Sequence, residues 1–305
     1  MTVKSVLHSC RGRGCPHPAL TGGDACWAHL EDREAFVRSF EIDLASGADR
    51  GHSHLAGADL TGAAFENAML AETNFEGASL GQGTFTRALL YGSRFVDAEA
   101  GRADFTEADM SRVRAHRAYL AGARFTGASL KQARLVRAVL DGADLTRCDL
   151  TEANLTGAWL DKVRMENCNA TQMRAAGAYM KQIFARRANF TGACLTRALF
   201  SDGDFHGAQF EAADLTGAVG VNADFTLAAF SGATLTGVNF RRCLLERAEL
   251  EGADLRGADL REALLEGSWF VGADLTGARL AGARIRGANF DGAVLEGIDI
   301  PRPRV

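Results

Sequence analysis

From Leu55 to Ile300 the chain keeps a period of five residues without one insertion or deletion, and that rhythm decides what it can fold into. Every residue in this span whose number divides by five is a candidate core position, giving 50 consecutive pentapeptides occupied overwhelmingly by Leu or Phe. Two positions earlier the residue is nearly always Ala, as in Ala58 with Leu60, Ala143 with Leu145 and Ala253 with Leu255. Five matches neither the turn of a helix nor the alternation of a long strand. Within one unit the core residue and the Ala lie two apart, so a short extended segment turns both to one side. The other residues, mostly Gly, Thr, Asp, Asn, Arg and Glu, must turn a corner. Glycine two places after the core residue, as at Gly62, Gly77, Gly127, Gly142, Gly252 and Gly282, suits the positive φ such corners require. The 34 Gly against only 4 Pro and 3 Tyr are the compositional trace of that unit.

The units Ala58-Asp59-Leu60-Thr61-Gly62 and Ala153-Asn154-Leu155-Thr156-Gly157 resemble the motif of the pentapeptide-repeat family: Ala, Asp or Asn, Leu or Phe, then two variable residues. The resemblance covers about four-fifths of the chain. It implies a mainly β fold, a right-handed quadrilateral β-solenoid in which four pentapeptides make one square coil and residues 20 apart stack. At the spacing of paired strands the repeats would form a rod on the order of 60 Å long. Phe65, Phe85, Phe105 and Phe125 then form one interior ladder. Where the core position shrinks to Ala115, Ala175 or Ala185, the residue two earlier grows to Val113, Met173 or Ile183, which conserves interior volume. The weak stretch from Val163 to Ala185 therefore reads as repacking rather than a groove.

Residues 1–54 lie outside the rhythm. Residues 1–30 carry Cys10, Cys15, Cys26 and His29, with Pro16, Pro18, Gly22 and Gly23 between the pairs. Three thiolates and one imidazole complete a tetrahedral set, the donor pattern of a closed structural zinc (Zn2+) site. So small a segment has little core, so ligation would supply much of its folding energy. His8 or His17 could each replace His29, and three reduced thiols beside an incidental His is the plainer alternative. The segment also resembles short Cys-rich modules that precede the repeats in some bacterial members of the family. Cys148, Cys168 and Cys243 stand at the Ala position, where Cys acts as a small buried hydrophobe.

Residues 31–54 read as a capping helix and linker, with an amphipathic helix over Glu31 to Ser46 that presents Phe36, Phe40 and Leu44 and ends at Gly47. A solenoid of residues 55–300 exposes unpaired backbone at its ends, and the zinc module plus helix are expected to cover the first coil. The tail 301–305, Pro-Arg-Pro-Arg-Val, offers no capping helix; its prolines and arginines block strand addition, or the bare coil pairs with a second copy. No stretch reaches the apolar length of a membrane span and no secretory signal opens the chain, so a soluble bacterial cytoplasmic protein is expected. The odd count of seven Cys also favours a reducing compartment.

With the interior filled, function must sit outside. One outward column reads Tyr119, Val139, Trp159, Tyr179, Leu199 and Val219, an apolar stripe that suggests a protein partner or a homodimer. The next face carries Arg94, Arg114, Arg134 and Arg174, and the corner between carries Arg117, Arg137 and Arg197. Net charge is −4, but residues 90–190 hold 16 basic against 11 acidic groups and residues 191–305 hold 11 against 16, so the middle is +5 and the remainder −5. An acidic patch of Asp214, Glu249, Asp254, Asp259 and Asp274 lies in the second part.

No phosphate-binding glycine motif occurs, His116 and His206 lack a Cys or Ser partner at suitable spacing, and the paired carboxylates belong to the repeat, so catalysis is not expected. A non-catalytic rod acting through protein contacts is. The family resemblance implies a more specific role, as some members look like DNA, bind gyrase (type II topoisomerase) and confer antibiotic resistance. The alternatives are a scaffold or self-associating protein, and nucleic-acid binding through the arginines and the zinc module. The basic middle and the absence of interrupting loops weigh against the DNA mimic.

Overall fold

The computed structural model describes residues 9–13, 15, 18–22 and 25–299, and these form a right-handed quadrilateral β-solenoid behind a small N-terminal cap. His8, His17, Ile300 and the tail 301–305 lie outside the described residues. Parallel bridges join each outward residue to the one 20 positions later, in unbroken succession from Asp49 with Met69 to Asp274 with Val294. Four columns result. Face 1 runs through Met69, Leu89 and Asp109, face 2 through His54, Asn74, Arg94 and Arg114, face 3 through Asp59, Ser79, Glu99 and Tyr119, and face 4 through Ala64, Thr84, Asp104 and Arg124.

The backbone bonds explain why the motif has its composition. Leu60 N donates to Ser79 O (2.7 Å) and Gly62 N to Gly81 O (2.9 Å) in the next coil, while Ala63 N closes the corner on Leu60 O (3.1 Å). Asp59, an outward residue, is the one whose counterpart Ser79 donates back to Ala58 O (2.9 Å). One N–H per unit remains, that of the residue after the core position, and the outward Asp or Asn takes it: Thr61 N and Thr61 Oγ1 both donate to Asp59 Oδ1, at 3.2 and 2.7 Å. The same pair of bonds recurs at Asp149 with Thr151 and at Asn154 with Thr156. The repeat thus selects Asp or Asn for a short oxygen and Thr for a second donor, as a side-chain-closed turn requires.

Each corner places its last residue at positive φ, at glycine and at 27 other residues alike, including Arg117 (57°) and Glu152 (59°). Glycine is therefore the less strained occupant of the corner, and not a condition for it. The lattice holds the others in place with an inter-coil hydrogen bond from that same N–H, as from Arg117 N to Val136 O (3.1 Å).

Inside, Phe65, Phe85, Phe105 and Phe125 stack at 4.6, 4.8 and 5.1 Å, and Phe75 stacks on Phe95 at 4.9 Å. Val113, Met173 and Ile183 are buried beside Ala115, Ala175 and Ala185, and the bridges pass through Arg164 and Phe184 without a break. That stretch is repacked core. Cys148, Cys168 and Cys243 are buried, and burial pushes each thiol well up.

The bridge ladder starts at Asp49, ahead of Leu55, because the slot before it holds Arg50 and so breaks the apolar pattern without breaking the coil. Arg50 bonds Asp43 and lies over the Phe40 ring at 5.8 Å. Asp43 and Phe40 belong to helix α1 (Arg33–Ala45), which begins where the Asp32 carboxylate accepts from Ala35 N (2.8 Å) and buries Phe40 and Leu44. Phe36, Phe40 and Phe65 continue the interior ladder into the helix at 6.1 and 6.5 Å. Glu41 Oε1 accepts from Ala64 N (3.0 Å), a first-coil donor that has no preceding coil to bond. These contacts cover the end of the sheet that would otherwise invite another strand.

Candidate metal centre and partner-binding faces

Cys10, Cys15, Cys26 and His29 bring one donor atom each within 4.8 Å of all the others. Cys10 Sγ stands 3.4 Å and Cys26 Sγ 3.3 Å from His29 Nδ1, and the sulfurs of Cys15 and Cys26 are 3.6 Å apart. Four ligands at ordinary zinc bond lengths on a tetrahedron would be separated by roughly 3.5–3.8 Å. Cys26 N and Gly12 N both donate to Cys10 Sγ, at 3.2 and 3.4 Å, and these bonds hold its thiol down to about 6. Such donors favour the thiolate a metal needs. Gly12 must be glycine, because a Cβ there would lie 2.8 Å from the His29 ring. The cluster could hold a metal ion; its donors fit.

A cleft of about 600 Å³ opens between this module and the first coils, lined by Pro18, Trp27, His54, Asn74, Glu76 and Arg94 among others. His54 is buried, its Nδ1 accepts from Asn74 Nδ2 at 3.1 Å, and burial pulls its pKa below the ordinary histidine range. Sequence reasoning passes over it because only docking of the module creates it.

On face 3 the stripe is continuous: Tyr119, Val139, Trp159, Tyr179, Leu199 and Val219 are bridged in that order. Val139, Leu199 and Val219 are half-buried, whereas Tyr119, Trp159 and Tyr179 stay exposed. Met69 and Leu89 form a shorter bridged pair on face 1, and two further exposed aromatic residues stand alone. Trp269 is bridged to Glu249 and Asn289, and Phe184 to Arg164 and Asp204, so each is isolated among polar neighbours.

On face 2 the arginines divide into two groups. Arg94 pairs with Glu76 at 2.6 Å, and Arg117 at the corner pairs with Asp97 at 2.5 Å, so both are already neutralised. Among the described residues, no ion pair within 4.0 Å involves Arg114, Arg134, Arg137, Arg174 or Arg197.

Of the expected acidic patch, Asp214, Asp254 and Asp274 share face 2, with Glu249 on the adjoining face 1 and Asp259 on the adjoining face 3. The four aspartates are also in use. Asp214 and Asp274 close their own corners on Thr216 and Thr276. Asp254 is bound by Arg256 at 2.6 Å and Asp259 by Arg261 at 2.5 Å. The Arg256 hydrogen bond holds Asp254 down to about 2. Asp254 and Asp259 are thus matched by arginines, whereas Asp214 and Glu249 have no ion pair within 4.0 Å among the described residues.

Among the described residues no helix is long and apolar enough to cross a membrane. No curated protein sequence matches the chain. Solved structures do. HetL, a pentapeptide repeat protein involved in heterocyst differentiation regulation in Nostoc sp. strain PCC 7120, is 28% identical over 77% of this chain and 92% of its own, with a TM-score of 0.30. A pentapeptide repeat protein of the Arabidopsis thaliana thylakoid lumen is 27% identical over 34% of this chain and 66% of its own, with a TM-score of 0.22. QnrB1, a plasmid-mediated fluoroquinolone resistance protein, is 18% identical over 73% of this chain and 92% of its own, with a TM-score of 0.23. The family description "Pentapeptide repeats (8 copies)" matches in overlapping segments that run from 51–87 to 258–297. With its period, its 20-residue bridges and this match over most of its length, the chain belongs to the pentapeptide-repeat family.

Proposed function

We propose that this protein is a non-catalytic binding rod whose face 3 docks a protein partner, with residues 1–54 acting as a zinc-stabilised cap. The single observation that carries the reading is the bridged stripe from Tyr119 to Val219, exposed at its three aromatic residues. Apolar side chains stacked on one solvent face are what an interface core uses, and the unpaired Arg137 and Arg197 along its edge complement a partner with an acidic rim. The Cys and His donors and their spacing support zinc over an incidental cluster, and the first coil is held by the helix that follows them.

The test compares Trp159→Glu with Trp269→Glu, which places the same charge on an isolated tryptophan of face 1. A partner retained by the wild type and by Trp269→Glu, then purified, should bind Trp159→Glu at least about tenfold more weakly. Equal binding by both variants sinks the reading. The topoisomerase role implied by the family rests on a negative surface, and the matched carboxylates of Asp254 and Asp259 support it less well than the stripe supports protein docking. A gyrase supercoiling assay with the purified chain separates the two: inhibition, or protection from a gyrase poison, that survives Trp159→Glu would favour the DNA mimic.

A further inference from the structure

We propose that the middle of face 2 is a binding site for a linear oligophosphate. The proposal does not rest on docking at face 3. The other arginines at bridged outward positions of this rod each have a carboxylate from the chain itself: Arg94 meets Glu76 at 2.6 Å, Arg124 meets Asp104 at 3.6 Å, Arg164 meets Glu166 at 3.6 Å, Arg279 meets Asp259 at 4.0 Å and Arg284 meets Glu266 at 2.6 Å. Arg114, Arg134 and Arg174 depart from that arrangement, having no ion pair within 4.0 Å among the described residues. Arg114 and Arg134 are moreover bridged neighbours, so two exposed guanidinium groups leave adjacent coils about 4.8 Å apart. Like charges directly opposite on a sheet repel, and an anion between them removes the repulsion.

Asn154, between Arg134 and Arg174 in the column, points the same way. Its Oδ1 accepts from Thr156 N and Oγ1 at 3.0 and 2.7 Å, the bonds that Asp149 makes to Thr151 on face 1. Either residue closes the corner, and the uncharged one stands inside the basic column. The side chains surround a cleft of about 410 Å³ lined by Arg112, Arg114, Gln132, Arg134, Asn154 and Arg174. Glu152 also lines it, but accepts from Gln132 Nε2 at 2.8 Å. Arg112 is fixed by Gln132 Oε1 (2.9 Å) and Tyr91 Oη (2.8 Å), so that edge is ordered without a ligand.

Guanidinium forks bind phosphate oxygens two at a time, and three of them along about 14 Å of rod suit charges strung in a line. No aromatic side chain lines the cleft, so a base would gain no stacking there. Recognition ends at the phosphates. Inorganic polyphosphate and the phosphate tail of a nucleotide share this chemistry.

Calorimetric titration of the full chain at low ionic strength with tripolyphosphate, ATP and hexaglutamate tests it. We expect saturable binding of one tripolyphosphate per chain, weakened at least about tenfold by Arg114→Gln with Arg134→Gln, and likewise by Asn154→Asp, which keeps the corner bonds and the melting temperature. Trp159→Glu should leave it unchanged, which separates this site from face 3. Tighter binding of tripolyphosphate than of ATP assigns the polyphosphate source, and equal binding assigns a nucleotide tail. No saturable binding, equal affinity for hexaglutamate, indifference to Asn154→Asp, or an oligothymidylate that tripolyphosphate fails to displace would each overturn the proposal.

Discussion

Trp159 and Tyr179 stack one coil apart on face 3, with ring centroids 4.4 Å apart and planes within 9°, while 45% and 36% of their surfaces remain exposed. The pair lies flat upon itself and turns its ring edges outward. That geometry offers a partner apolar rims rather than open ring faces, so it suits side-chain packing better than insertion of a base.

Because much of both residues is already in water, the stack stabilises the rod only modestly. Trp159→Ala should lower stability by about 0.5–1.5 kcal/mol, against about 3–5 kcal/mol for Phe85→Ala in the interior ladder. Urea denaturation of both variants checks the contrast. Comparable losses would mean that the stripe is a structural face and not a docking surface.

Outward Asp residues hold their corners through an oxygen and not through charge. Asp214→Asn should therefore be close to neutral, as Asn154 already does this work, while Asp214→Ala should cost about 1 kcal/mol by leaving Thr216 N unpaired. Chemical denaturation distinguishes them, and an Asp214→Asn variant as unstable as Asp214→Ala would assign the role to charge.

The coil was legible in the sequence because the inward or outward sense of each side chain follows from its place in a five-residue unit, as for Leu60 and Asp59. The stripe followed directly, since residues 20 apart share a column. The electrostatics were not legible. Whether Asp254 belongs to an acidic field depends on the rotamer that turns Arg256 onto it, and whether Arg94 is available depends on Glu76, 18 residues away across a corner. Arg50 hid the first unit by placing charge in a core slot, a substitution made tolerable by Asp43 of the helix. The His54 cleft needs the docked module and has no signature in the repeat.

Asp254 gives a pH test with a defined sign. Its folded pKa lies at about 2, below the ordinary carboxylate value of 3.8, chiefly through the Arg256 hydrogen bond. A depressed carboxylate contributes stability that is present above its unfolded pKa and lost as pH falls through the folded one. Carbon chemical shifts of Asp254 should titrate with a midpoint near 2 in the wild type and higher in Arg256→Gln. An unchanged midpoint would remove Arg256 as the cause.

Metal removal should act on the cap before the rod. Emission spectroscopy should find one zinc per chain, lost in Cys26→Ser and in His29→Ala. A chelator should lower the first melting transition and increase aggregation, because the module and helix α1 cover the first coil, while the interior ladder beyond Phe125 keeps its fold in a quasi-linear array. A zinc-free protein with the same melting profile would make the cluster incidental.

Gly220 tests the register itself. It occupies a core slot, and a Cβ there would lie 2.4 Å from Phe200 Cε2 and 3.3 Å from Phe240 Cε1, rings that come from the coils on either side. The two rings stand 6.1 Å apart edge to face and fill the space that a larger residue takes elsewhere. Gly220→Ala should thus cost about 1–3 kcal/mol through overpacking, whereas an Ala at the same slot of another coil, such as Ala100, is buried without strain. Trimming the neighbour should recover part of the loss, so Gly220→Ala with Phe200→Leu should show a favourable coupling of about 0.5–3 kcal/mol in a double-mutant cycle. Strict additivity would mean that residues 200 and 220 do not share a slot, and the 20-residue coil would fail with it.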